Sequence, residues 1–179
     1  MNTKKVIIGA ACICAAGFAV YHFTAGKKTQ EDAMKYDLKG IDYVKEGKYD
    51  KAIDSYDDAI ELKQDPTLYY NRGVAYMNKG DNANAIKDFS KAIEMQGANF
   101  PAFNNRAICY RNSSKYDEAI ADYSSVIKLK ADFSAAWFGR GTCYRLKGDD
   151  KNALADLRKA LSLGYADAKN VIADIEKKK

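Results

Sequence analysis

The sequence predicts an all-α protein, a solenoid of four helix-turn-helix repeats followed by a C-terminal capping helix. Three observations predict it. An apolar stripe returns every 33 or 34 residues, a ladder of aromatic and small residues precedes each stripe, and turn-forming residues separate the two.

The stripe begins at Ala52, Ala85, Ala119 and Ala153. An apolar residue follows each Ala, a large side chain stands four places on (Tyr56, Phe89, Tyr123, Leu157), and Ala59, Ala92, Val126 and Ala160 stand seven places on. Offsets of this kind lay one apolar face along a helix. The upstream ladder runs Tyr36, Tyr69, Phe103, Trp137, then Gly40, Gly73, Ala107, Gly141, then Tyr43, Tyr76, Tyr110, Tyr144. It marks a second helical face, with a small residue in its middle that admits a partner helix closely while the aromatics fill the flanking space. Gly47, Gly80, Gly148 and the run Asn112-Ser113-Ser114 separate the two helices of each unit; glycine ends helices by accepting a left-handed backbone. Each unit is therefore expected to be two antiparallel helices joined by a tight turn.

After Gly164, Ala168, Val171, Ile172 and Ile175 repeat the helical spacing on one face only, with charged and polar residues opposite. A one-faced helix here covers the open hydrophobic end of the stack, as the last unit of a solenoid must.

The combined pattern resembles the tetratricopeptide repeat family, with units at about 33–65, 66–99, 100–133 and 134–167 and the capping helix with its basic tail over 168–179. The resemblance implies a right-handed superhelical α-solenoid in which the first helix of each unit lines a concave groove. It also implies a non-enzymatic adaptor or scaffold that binds a peptide or protein there, with a self-associating scaffold as the alternative. By analogy with the family, the groove residues are Tyr70, Asn71, Asn104, Asn105, Arg111, Phe138 and Arg145. The asparagine amides can donate to and accept from an extended backbone, Tyr70 and Phe138 offer apolar anchors, and the two arginines form a cationic end. Some family members grip a C-terminal carboxylate with two Asn, two Lys and an Arg. Only the Asn positions match here, at Asn71 and Asn105, so a clamp of that type is not expected.

The net charge of +5 points at first to nucleic acid or an anionic membrane. Its distribution says otherwise: Lys4, Lys5, Lys27 and Lys28 lie in an N-terminal stretch without acids, and Lys177, Lys178 and Lys179 close the chain. The repeat body is close to neutral, which argues against a nucleic-acid partner. It grades from an acidic first unit to a mildly basic fourth, so the partner is expected to place an acidic part toward Arg111 and Arg145.

Between the two N-terminal lysine pairs, Val6 to Gly26 is uncharged and mostly apolar. Its length suits a single membrane-spanning anchor. A cleaved secretory signal is the alternative, ranked below the anchor since its best cleavage site, Thr24-Ala25-Gly26, is poor; Cys12 and Cys14 match a lipidation motif badly. The flanking bases favour an N-terminus inside and the repeats outside the cytoplasm (periplasmic in a bacterium), or a secreted domain if the segment is cleaved.

Catalytic chemistry finds little to use. The one histidine, His22, lies in the apolar N-terminal run, so the repeats offer no histidine for a nucleophile, an acid–base pair or a common zinc site. No cofactor, metal or small-molecule substrate is expected. Cys109 and Cys143 occupy equivalent positions and read as small packing residues. Arg72, Arg106 and Arg140 each precede an Asp by sixteen residues, at Asp88, Asp122 and Asp156; unit one has Lys39 and Ser55 in those places. The joint loss of both partners in unit one marks them as an interhelical structural pair.

Overall fold

A computed structural model describes residues 28–97 and 99–177. The anchor-or-signal expectation, with His22, Cys12 and Cys14, rests on residues outside those described. Among the described residues the protein is all helical, and no helix is long and apolar enough to cross a membrane.

The helices alternate in pairs. α1 (28–45) and α2 (Tyr49–Leu62) form the first, α3 (Pro66–Lys79) and α4 (Asn82–Gln96) the second. The third is α5 (Phe100–Asn112) with α6 (Tyr116–Leu129), the fourth α7 (Ser134–Leu146) with α8 (Asp150–Ser162), and α9 (Ala168–Glu176) closes the row. Polar caps start several of them. Asp65, Asp81, Asn99 and Asp149 accept hydrogen bonds from the first free backbone N–H groups of α3, α4, α5 and α8. Proline sits in the first turn of α3 and α5, where no N–H is needed.

The turn inside each pair needs a left-handed residue. Gly47, Gly80 and Gly148 supply it with φ of 71°, 89° and 80°, and Ser114 takes the equivalent place in the third pair at φ 60°. Cβ sterics make that conformation costly for serine.

The two sequence ladders meet inside each pair. Tyr56 lies against Gly40, Phe89 against Gly73 and Leu157 against Gly141, so close that an added Cβ would stand 2.6 Å, 2.9 Å and 3.0 Å from the facing side chain. The stripe alanines Ala52, Ala85, Ala119 and Ala153 are completely buried. α9 buries Ala168 and Ile175 against the cluster around Leu154 and Leu157, so the capping expectation describes what this helix does.

Polar side chains also stitch the pairs together. Arg106 donates from Nε and Nη2 to the two oxygens of Asp122 at 2.7 and 2.8 Å, and from Nη1 to Ser90 of the preceding pair at 2.8 Å. Arg140 repeats this with Asp156 and Ser124. Arg72 binds Asp88 in the same way and takes Asp57 where the others take serine. Each guanidinium also lies over the aromatic three residues before it, 5.0 to 5.6 Å from the ring centre of Tyr69, Phe103 or Trp137.

Candidate functional site

The first helices stand side by side, with α3 in direct contact with α5 and α5 with α7. The seven candidate residues lie on these three helices, and hydrogen bonds tie Tyr70, Asn71, Asn104 and Asn105 across neighbouring first helices. A repeated hydrogen bond crosses between them. Asn71 on α3 donates from Nδ2 to Asp37 on α1 at 2.9 Å, and Asn105 on α5 donates to the Tyr70 hydroxyl on α3 at 3.1 Å. Asn104 in turn donates to Asn105 Oδ1 at 3.3 Å. The amides thus tie neighbouring repeats together while keeping part of their hydrogen-bonding capacity. Asn71 Oδ1 and Asn104 Oδ1 have no protein partner among the described residues.

Two shallow hollows of about 230 Å³ interrupt this face. One, between α1 and α3, is lined by Ala33, Met34, Asp37, Thr67 and Leu68 among others. The other, between α3 and the start of α5, is lined by Thr67, Tyr70, Gln96, Asn99 and Pro101. Tyr70 forms a wall of the second, its ring tilted against Phe89 with centroids 5.7 Å apart. Burial raises its phenol pKa, and the Asn105 hydrogen bond pulls the other way.

At the other end the C-terminal segment already occupies two of the expected anchors. Phe138 stacks on Tyr165, with centroids 4.4 Å apart, and Arg145 lies 3.7 Å from Asp174 of α9. The sequence reading missed both contacts because Tyr165 and Asp174 fall outside the repeat pattern.

Arg111 differs from its neighbours. The chain has six arginines, and Arg72, Arg106, Arg140, Arg145 and Arg158 each have an acid within 4.0 Å. Arg111 is half-buried on α5, and no carboxylate pairs with it among the described residues. Its charge opposes the effect of burial on the Tyr123 phenol and the Cys143 thiol.

Tyr123 is the residue the sequence assigned wholly to the core. It comes from α6, is 1% exposed, and its ring tip passes between α5 and α7. There it fills the space that a side chain at Gly139 would need: an added Cβ would collide with Cζ and both Cε carbons. Gly139 is the repeat equivalent of Asn71 and Asn105. The phenol therefore stands where the asparagine ladder would have continued, and its hydroxyl makes no hydrogen bond among the described residues. Burial pushes its pKa well above the ordinary value, with the Arg111 charge opposing, so the group stays a protonated donor.

Cys109 and Cys143 are free and fully buried, and burial pushes each thiol up to about 11. A thiol kept protonated in this way is a poor nucleophile and a poor metal ligand. Among the described residues no group of three or more His, Cys, Asp or Glu is placed to hold a metal ion.

This arrangement of stacked helix pairs, with polar and aromatic side chains on one continuous face, defines a helical-repeat protein. The chain belongs to the tetratricopeptide repeat family: models of the repeat match residues 40–80, 66–99, 100–133 and 134–163. No curated protein matches the sequence. Among solved structures it is similar to MamA, at 25% identity over 82% of this chain and 88% of that one, with a TM-score of 0.72. The first tetratricopeptide domain of Spaghetti (RPAP3), solved bound to the HSP90 peptide SRMEEVD, is 28% identical over 66% of this chain and 95% of that one, with a TM-score of 0.64. YrrB, described as having an unusual peptide-binding site, shares the fold at 21% identity over 99% of this chain and 93% of that one, with a TM-score of 0.72.

Proposed function

We propose that the protein is a non-enzymatic adaptor whose first-helix face binds an extended peptide or a segment of a partner protein. The observation that carries this reading is the ladder Asn71–Asp37 and Asn105–Tyr70 beside two hollows. The ladder fixes amide groups on adjacent helices, and the hollows accept alternate side chains of an extended chain. The contacts of α3 with α5 and of α5 with α7 support a reading in which this face lines the concave side of the array and wraps a ligand. The Spaghetti domain, which holds a peptide, supports the reading by analogy. The apolar N-terminal segment tethers the adaptor to a membrane with the repeats outside the cytoplasm, and the acidic part of the ligand lies toward Arg111.

Affinity capture tests this. Wild-type chain and an Asn71→Ala/Asn105→Ala/Arg111→Ala variant are compared by quantitative mass spectrometry of what they retain. A partner enriched on the wild type and lost from the variant supports the adaptor. Equal retention of every protein by both sinks it.

A second reading, a self-associating scaffold, draws on Leu62, Met95 and Leu129, exposed at equivalent places near the ends of α2, α4 and α6. Light scattering separates the two: a stable oligomer that dissociates on Leu62→Ser/Leu129→Ser favours the scaffold, and a monomer across the accessible concentration range removes it.

A further inference from the structure

We propose that one edge of the array faces a bilayer, with Leu62, Met95, Leu129 and Leu161 seated at its headgroup boundary. This is the edge where the first helices begin and the second helices end. The inference rests on the membrane-tether reading above and says which surface of the repeats that membrane covers.

The connectivity defines the edge. Each pair is antiparallel and each link between pairs is short, so α1, α3, α5 and α7 all point the same way. Their starts lie beside the ends of α2, α4, α6 and α8, and the chain enters the array there, at residue 28 of α1. The uncharged apolar run ends at Gly26. Two residues of extended chain reach at most about 7 Å. A run that crosses the bilayer therefore brings the start of α1, and the edge it belongs to, against the membrane surface.

The side chains on that edge suit the place. Leu62 and Leu129 are the last residues of α2 and α6, and Met95 and Leu161 stand one before the ends of α4 and α8. The four are 37–47% exposed. Leu62, Met95 and Leu129 share one repeat position, ten residues after the stripe alanine, so the row belongs to the repeat and is not a scatter of single residues. Of the other exposed large hydrophobics, Met34 and Leu38 lie along α1, and only Leu146 lies at the opposite edge among the described residues. Phe100 at the start of α5 and Phe133 just before α7 meet edge to face, with centroids 5.8 Å apart. Lys130 Nζ sits 5.2 Å and 5.8 Å from their ring centres. Aromatic rings and a lysine beside an apolar row are the side chains that settle at a membrane–water boundary.

Charge decides the kind of contact. Lys63, Lys128 and Lys130 stand on this edge among Glu61, Asp65, Glu94 and Asp132, and Lys63 is paired with Asp65 at 3.0 Å. The edge is not a basic patch, so attraction to anionic lipid contributes little and the contact depends on apolar insertion. A tether entering at the same edge holds the row near the bilayer, and a shallow apolar contact then suffices.

The test uses the full chain with Cys12→Ser and Cys14→Ser, since Cys109 and Cys143 are buried, reconstituted into phosphatidylcholine vesicles. Single substitutions Gln96→Cys and Ala131→Cys on the proposed edge, and Lys115→Cys on the opposite one, each at an exposed position, carry an environment-sensitive fluorophore. Flotation reports whether the vesicles hold the chain, and quenching by spin-labelled lipid reports which edge meets them. The expected result is flotation of every variant, with quenching several-fold stronger at Gln96→Cys and Ala131→Cys than at Lys115→Cys. Adding Met95→Ser/Leu129→Ser, two exposed positions whose change leaves the core intact, lowers quenching at Ala131→Cys to the level of Lys115→Cys without changing flotation. Flotation with equally weak quenching at all three positions overturns the edge contact and leaves the tether standing. The same weak quenching, with energy transfer between Ala131→Cys labels on different copies, also overturns it and assigns the row to a second copy of the chain. Strong quenching that appears only when anionic lipid is added overturns apolar insertion as the basis of the contact. If no variant floats, the tether fails and the edge contact fails with it.

Discussion

Arg106 and Asp122 face each other across the α5–α6 seam in a two-point pair, Nε to Oδ2 at 2.7 Å and Nη2 to Oδ1 at 2.8 Å, with side-chain exposures of 17% and 7%. The third arm of the guanidinium reaches Ser90 in the pair before, so one side chain holds three helices and two repeats. Removing the acid strands a desolvated cation. Asp122→Ala is expected to cost about 3 kcal/mol in urea-induced unfolding, the lower end of what breaking such a pair costs. Replacing both partners by apolar residues, Arg106→Met with Asp122→Leu, should recover most of that loss. A double variant as unstable as Asp122→Ala alone would show that the pair is not the source of the effect.

The third intra-pair turn is the strained one. Ser114 holds φ at 60° where the other three turns use glycine. Ser114→Gly relieves about 1–2 kcal/mol of left-handed strain and gives back about 0.4–1 kcal/mol through the freer unfolded chain. A net gain of up to about 1.5 kcal/mol is expected, read as a rise in the thermal midpoint. Gly80→Ala, at φ 89° with open space around it, should lose stability by a similar mechanism in the opposite sense.

Two helix caps make stability sensitive to acid. Asp81 and Asp149 have carboxyl pKa values below the ordinary 3.8, chiefly because the backbone N–H groups of Asn84 and Asn152 donate to them. A depressed folded value means that the stabilisation is fully present above the unfolded pKa and is lost as pH falls through the folded one. Asp81→Asn/Asp149→Asn keeps a capping oxygen but cannot titrate. The wild type should therefore exceed the variant in stability at neutral pH, and the gap should close as pH drops below about 3.9. A gap that is constant with pH would separate the caps from the acid response.

The fold was legible because its rules are local and repeated. The stripe from Ala52 to Ala153 and the small residues Gly40, Gly73 and Gly141 lie at fixed offsets, and the structure packs them as those offsets require. The Arg–Asp pairs were legible for the same reason, since Lys39 and Ser55 change together in the one unit that lacks them. The site was less so. The resemblance to the family assigned Asn71, Asn105 and Arg111 to the groove, but it could not show that Asn71 is tied to Asp37, or that Tyr165 and Asp174 fold back on Phe138 and Arg145. The first contact crosses between units, where helix periodicity within a unit says nothing of partners, and the other two join the last repeat to residues that follow its pattern. Tyr123 was hidden most completely. Its spacing assigns it to the core, and only the absence of a side chain at Gly139 lets its far end pass through to the next helix.

That dependence of Tyr123 on Gly139 can be measured. A methyl group at 139 would overlap the ring tip, and the ring is buried and cannot swing aside. Gly139→Ala should cost about 1–3 kcal/mol, the range for overpacking a filled core, even though alanine favours the helix by nearly 1 kcal/mol over glycine. Tyr123→Phe keeps Cζ and the clash. Tyr123→Leu, the residue that Leu157 supplies in the fourth pair, removes the tip. In that background Gly139→Ala should become neutral or stabilising, giving a coupling energy of at least about 1 kcal/mol in a double-mutant cycle by chemical denaturation. Equal costs of Gly139→Ala in both backgrounds would mean that the ring tip does not occupy the place of the missing side chain.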